Sequence, residues 1–562
     1  MVSSVPFDIL AAPQAEIQRV FEIHIQSQSS EEFSTVIGNH FKEIFGKDER
    51  LDLIPHLNSN QLANNSGKNT DLKLVQFRAM VQDTSASPEM YLSHLREGRY
   101  GGWGAHDTMN GPIEYSNLRE CTRFWAVSIP GETTWARKVL SKNESGVSSS
   151  NDSQKSPYKY PLPSTPHVGA QVVVYLPNLE LKSTDTVTFV GLFESERDIL
   201  HVLYHEKAVT HPYQTYPLDI IKRTSEDSVQ SLRSELISWI ADEALAGDQD
   251  AAEWVLLSVI SRVQSRTPPI IPTSLTLSHF PSRSQAATSS SLESPSNVFA
   301  AAAVSSNDTP ALYHVLSQLV PIITYASLSL PLLNDGAFIP ESKPQPRSGD
   351  SDEDTEDELH SGILQLAPST VCLITDSGVT EGRINERGVR NLRALQEVIQ
   401  NQTLEYVFPY SGFRFETDIG CVVCTEGRKS AMVETHITVP LKPAKPDEGE
   451  EDFRRKLYKN SAEIHLPSTE KLEMWRKLIG GAMTKQAISS TDPSSASTPV
   501  GGIGVSDAAA ALIQEEFVKG RKDAAKENKE RKKETELGKG ITTPNDLIHH
   551  AVIDEIIGSL SA

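Results

Sequence analysis

The chain has 562 residues, 38% apolar and 23% charged, with 53 Lys and Arg against 74 Asp and Glu for a formal charge of −21. That length excludes a single core and predicts roughly three or four domains, with inserts too polar to fold by themselves. The acid excess repels phosphate backbones and excludes broad nucleic-acid binding, although a local basic patch stays open.

Four cysteines do not make a disulfide framework. The opening MVSSVPFDILAAPQAEIQ lacks a basic stretch followed by a long apolar one. No window offers ~18 apolar residues in a row, so no membrane span is expected. These features point to a reducing compartment, cytosol or nucleus.

Residues 14–46 read as helix: Phe33, Ile37, Phe41 and Ile44 recur at spacings of four, four and three, forming one apolar face. From residue 72, LKLVQFRAMVQD alternates Leu74, Gln76 and Arg78 with Val75, Phe77, Ala79 and Val81, which predicts a strand with one wet face. CTRFWAVSIPG, AQVVVYLP and DTVTFVGLFES are further strands, separated by REGRYGGWGAHDTMNGP and a Ser/Pro-rich insert. The strand count fits an OB-like β-barrel.

Residues 226–265 read as two helices meeting at GDQD. Leu232, Leu236 and Ile240 line one face of the first, and AAEWVLLSVISRV is apolar nearly all round, as in a buried helix. SLTLSHF then reads as a strand, ALYHVLSQLV as a helix and ASLSLPLL as a strand. The acidic tract GDSDEDTEDE interrupts as solvated, disordered chain. GILQLAPSTVCLITDS is a buried strand running to Asp376, NERGVRNLRALQEVIQNQ a helix and GCVVCTEG a strand. Strands alternating with helices predict a sheet packed between helices. From about residue 453 the tail is broken helix.

The architecture expected is therefore multidomain α/β. It comprises an N-terminal helical region at 1–66, an OB-like domain at 67–225 with a disordered insert around 141–166, an α/β domain at 226–440 with inserts around 281–308 and 341–359, and a C-terminal helical region at 441–562.

Several motifs carry a functional and a bland reading. Cys421 and Cys424 form C-x-x-C, but on a strand that offset puts them on opposite faces, and Cys121 and Cys372 are distant in sequence. They read as core cysteines, not as a zinc site. His201 and His205, four apart, would share a face on a helix, yet their surroundings read as barrel edge and loop. GGIGV at 501–505 follows a linker and is not a dinucleotide turn. KGRKDAAKENKERKK at 519–533 is either a nuclear address or a solvated helix extension. Phe77, Trp103 and Trp125 could stack single-stranded DNA on the barrel, or be core.

LVQFRAMVQDTSASPEMY, TRFWAVSIPGETTWARK, GDQDAAEWVLLSVISRV, GILQLAPSTVCLITDSGVTEG, TEGRKS and VSDAAAALIQEEFVKGRKD together resemble the MCM complex-binding protein family, relatives of the MCM helicase subunits. The most distinctive piece is IPGETTW at 129–135. The resemblance implies that the α/β part is AAA+-like and the C-terminal helices a lid. An AAA+ ATPase needs a G-x-x-x-x-G-K-[ST] phosphate cradle, and the stretch after SLTLSHF has neither glycine nor lysine. Asp376 could hold a metal, but it reads better as a residue capping a turn. Ser377 stands where a water-activating Glu would be, and GCVVCTEGRKS has no sensing Asn.

The core thus reads as a degenerate, pseudo-ATPase shell, and no residue is nominated as catalytic, cofactor-binding or metal-ligating. The resemblance implies a nuclear, non-enzymatic partner of MCM subunits in DNA replication. It also implies release of the complex from chromatin, chromatin association only through MCM, and support of sister chromatid cohesion. An atypical ATPase and a single-stranded-DNA-binding barrel remain the alternatives.

Overall fold

The computed structural model describes residues 9–46, 51–57, 72–105, 114–140, 156–213, 226–282, 309–346, 355–443 and 449–483, short gaps at 29, 163–164, 177–178, 268 and 379–381 aside, together with 514, 515 and 518. Of the insert expected as disordered around 141–166, residues 141–155 lie outside the described residues, while Pro157–Lys159 form a 3-10 turn with Tyr160 buried behind it. Most of the insert at 281–308 and the motifs at 501–505 and 519–533 also lie outside the described residues. The chain forms two compact units that interleave along the sequence. The first holds Met1–Thr210, Ala337–Pro368 and Leu404–Phe415, and the second His211–Gly336, Ser369–Thr403 and Glu416–Ala562.

The first unit opens with helices α1 (Pro13–Ser27) and α2 (Phe33–Phe45), parted where Gln28 turns left-handed at φ 47°. Of the expected apolar face of α2, Phe33, Ile37 and Phe41 are buried, while Ile44 is only half-buried and Phe45 takes the core position instead. Strands β1 (Lys73–Asp83), β2 (Glu89–Leu92), β3 (His94–Leu95), β4 (Arg99–Tyr100), β5 (Leu118–Ser128), β6 (Gly169–Val174), β7 (Thr186–Glu194) and β8 (Ile199–Lys207) follow, with a short helix α3 (Thr134–Leu140) after β5. The pairing order β1-β7-β8-β6-β5 closes on itself through β1–β5, a five-stranded barrel in which β6–β8 is the one parallel pair. Val75, Phe77, Ala79 and Val81 of β1 fill its interior with Phe124, Phe189 and Val202.

Two expectations are corrected here. β1 has no wet face: every residue after Lys73 except Arg78 is fully buried. Leu74 packs into the cluster formed by α1 and α2, and Gln82 is covered by residues 359–365, whose Gln365 Nε2 donates to the Gln82 carbonyl at 2.7 Å. The residues around His201 and His205 are strand β8, which pairs with β7 along its length but with β6 only through Val202, so His201 is flanked on both sides and His205 on one. On that strand Leu203 is an extra residue against β7, where Val190 faces Tyr204 and Gly191 faces Val202.

The second unit is built on helices α4 (Glu226–Ala244) and α5 (Gln249–Ile260), with Asp248 capping α5 by accepting from the Ala251 N–H. After the short pair β9 (Ser265–Arg266) and β10 (Pro269–Ile270) come β11 (Leu275–Ser278), helix α6 (Ala311–Leu319), β12 (Ile323–Ser329) and helix α7 (Leu330–Asp335). The strand expected at ASLSLPLL therefore starts earlier and yields to helix at Leu330, where Ser329 Oγ caps the turn and Pro331 sits in the first turn, whose N–H groups have no partner within the helix.

Residues 341–359, expected as disordered, contribute strand β13 (Glu341–Pro346) and strand β14 (Thr355–His360) in their described parts. These pair antiparallel, and the acidic arm is held because Glu358 accepts from Tyr158 Oη and lies 3.0 Å from Lys159 Nζ. The apolar run from Gly362 is strand only as β15 (Thr370–Gly378). Its first residues turn instead, with the Ile363 N–H bonded to the Ala337 carbonyl.

Helix α8 (Glu386–Asn401) leads to the hairpin β16 (Thr403–Phe408) and β17 (Ser411–Glu416), which joins β13 and β14 in a four-stranded sheet of order β14-β13-β16-β17. Strand β18 (Ile419–Cys424), strand β19 (Ile437–Pro440) and helices α9 (Glu450–Leu457) and α10 (Thr469–Met483) complete the described chain.

The second sheet, β12-β15-β18-β11-β19, is parallel throughout. Val422 and Cys424 face one helical layer, while Cys421 and Val423 are buried as well, so both faces are covered.

Gly191 sits opposite the β8 bulge, and a Cβ there would collide with the His201 carbonyl oxygen. Gly191→Ala is expected to destabilise the barrel by about 1–3 kcal/mol, read as a lower denaturant midpoint at unchanged slope.

Candidate functional site

In an open parallel sheet, ligands bind beyond the carboxyl ends of the strands. Here that edge is formed by Ser278 of β11, Ser329 of β12, Gly378 of β15, Cys424 of β18 and Pro440 of β19. A phosphate cradle needs main-chain N–H groups left free after the first strand. After β11 the N–H of Phe280 donates to the Thr425 carbonyl at 2.8 Å and that of His279 to Gly427 at 3.2 Å. Thr425 returns its own N–H to Leu277 at 3.0 Å. These bonds prolong the β11–β18 ladder past the strand ends and occupy the donors of residues 279 and 280. His279 reaches this course with φ at 60°, while Phe280 turns into the core.

Asp376 does not end its strand, because β15 runs to Gly378. Its carboxylate is half-buried and makes no hydrogen bond or ion pair among the described residues, and the turn it was expected to cap runs into residues 379–381, outside them. Its negative charge adds to burial in raising the Cys424 thiol pKa. Beside it, Thr375 Oγ1 lies 3.0 Å from Tyr325 Oη, a polar pair internal to the β12–β15 contact. Among the described residues no group of three His, Cys, Asp or Glu could hold a metal ion.

All four cysteines are buried and free. The structure brings together a pair that is remote in sequence: Cys372 and Cys421 are register partners on adjacent strands. Burial pushes the Cys372 thiol up to about 11 and that of Cys421 well above its ordinary value. Such thiols are poor nucleophiles near neutral pH.

On the barrel, two of the three aromatic candidates are core. Phe77 lies inside the barrel and Trp103 is 1% exposed, donating its Nε1–H to the Val202 carbonyl at 2.9 Å. Trp125 is half-buried beneath Lys159 Nζ, 5.0 Å from its ring. His201 is buried with Nδ1 2.8 Å from Tyr175 Oη, and desolvation lowers the pKa of His205.

The IPGETTW stretch has a structural explanation. Gly131 turns at φ 74°, and Glu132 then reaches β1 to accept from Arg78 Nε at 3.0 Å, with both side chains about a tenth exposed or less. Arg137 of α3 stands 3.6 Å from the same carboxylate. Trp135 is buried beside this corner. Burial leaves both ions dependent on each other, because removing one strands a charge away from water. Sequence reasoning passed over Glu132 and Arg78; two opposite charges in otherwise apolar strand and turn text were the available signal.

The family model of the mini-chromosome maintenance replisome factor matches residues 41–159 and 198–535. Curated proteins called mini-chromosome maintenance complex-binding protein are similar. The one from Salmo salar is 30% identical over 38% of this chain and 29% of its own length, and that from Danio rerio 27% over 44% and 36%. The one from Gallus gallus is 22% identical over 78% of this chain and 81% of its own. The chain thus spans about a third of the length of the two fish relatives.

Two measurements check the site. Glu132→Ala is expected to cost about 3 kcal/mol of stability by leaving Arg78 unpaired, seen as a lower unfolding midpoint. Alkylation with iodoacetamide at pH 8 is expected to leave all four thiols unmodified in the native chain and to modify them only in denaturant.

Proposed function

The chain belongs to the mini-chromosome maintenance replisome factor family, and on that premise we propose that it is a non-enzymatic binding partner of the MCM helicase complex. The observation that carries this reading is a family match running through both compact units rather than one shared module. The names of the relatives, which describe binding to the MCM complex, support it.

In this reading the parallel sheet and its helices are an AAA+-like core, and α9 and α10 belong to its lid. The core serves by shape, docking where a ring subunit docks, without spending nucleotide. The committed N–H groups of His279 and Phe280 support that view, since a phosphate would compete with bonds already made. The protein would act in the nucleus during DNA replication, promote release of the complex from chromatin and support sister chromatid cohesion.

A tagged chain purified from a dividing-cell extract is expected to carry MCM subunits and to turn over no ATP above a buffer control. Recovery without any MCM subunit would overturn the reading, and nucleotide turnover lost on Asp376→Ala would replace it with an active motor.

A further inference from the structure

The sheet β14-β13-β16-β17 has two edges of different character. Just past the β14 edge, the Ser361 N–H bonds the Tyr158 carbonyl at 2.8 Å, and His360 stacks on Tyr158 at 4.3 Å. At the other edge β17 has β16 as its one neighbour among the described residues, and five of its six residues are exposed. Phe413 is 56% exposed, and Tyr410 in the turn is 100% exposed.

Open edges are ordinarily shortened, covered, or guarded by lysine or proline, because their unpaired main-chain groups accept another strand. β17 carries neither lysine nor proline within Ser411–Glu416, its charges being Arg414 and Glu416. Its aromatic face is held in place from below: Phe415 packs on buried Tyr406 at 4.4 Å, and Phe413 meets Phe408 at 5.9 Å. Between the two phenylalanines, and so on the other face, stands Arg414, with no ion pair or hydrogen bond among the described residues. Glu416, by contrast, lies 3.4 Å from Arg266.

We propose that the free edge of β17 takes up an extended segment of an MCM subunit as a fifth strand of this sheet. The inference rests on the reading that such a subunit is the partner. Strand addition gains affinity from main-chain bonds and specificity from alternate side chains. The incoming segment is therefore apolar where it meets Phe413 and Phe415, and acidic at the position facing Arg414, the one charge on this strand without a counter-ion among the described residues.

The test measures binding of purified MCM subunits to the full chain and to Arg414→Glu, Phe413→Ser and Met90→Ala, the last an exposed residue on β2. Arg414→Glu is expected to weaken binding about tenfold or more, and Phe413→Ser similarly, with melting curves unchanged and Met90→Ala binding as the parent does. Equal binding by all variants overturns the β17 edge and leaves the partner reading intact. No binding by the parent chain defeats the partner reading, and the edge assignment with it. A parent chain that is dimeric, and monomeric as Arg414→Glu, assigns the edge to a second copy and overturns the proposal.

Discussion

Burying strand β1 on both faces is the constraint around which the first unit is arranged. A barrel strand needs one dry face; β1 has two, and its outer one carries Gln76, Arg78 and Gln82. Each polar group withdrawn from water must find a partner, or lose about 1–3 kcal/mol. The main chain of Gln76 is met by Pro55 and Leu57, while the side-chain oxygens of Gln76 and Gln82 have no hydrogen-bond partner among the described residues. Arg78 is met by Glu132, and Gln82 by Leu359 and Gln365. Three segments, up to 283 residues away in sequence, are thereby drawn onto one strand.

That arrangement explains why the unit cannot be cut out as a continuous piece of chain. Residues 337–368 leave the α/β portion to complete it, and 404–415 follow. Tyr406 is buried at the same join, and burial is the main cause that pushes its pKa upward. The acidic hairpin arm belongs to this construction as well, because Lys159 supplies the counter-charge that a free acidic tract would lack.

The second unit obeys a simpler rule. An all-parallel sheet must be covered on both faces, and its strands read as unbroken apolar text. At the carboxyl edge of the sheet the backbone joins β11 to β18 beyond Ser278.

Periodicity alone determined the apolar face of α2, the barrel strands β5, β6 and β7, the buried helix α5 and the burial of Cys421 and Cys424, because each depends on neighbours a few residues away. The missing G-x-x-x-x-G-K-[ST] was equally legible, since that motif is local. Only tertiary structure decided that β1 is dry on both sides, that Cys372 lies beside Cys421, that Glu132 pairs with Arg78, and that an acidic arm becomes strand. Each of those joins residues from about 50 to almost 300 apart in the chain. Burial and counter-charge at that distance are properties of the packed fold, and no local window of residues contains them.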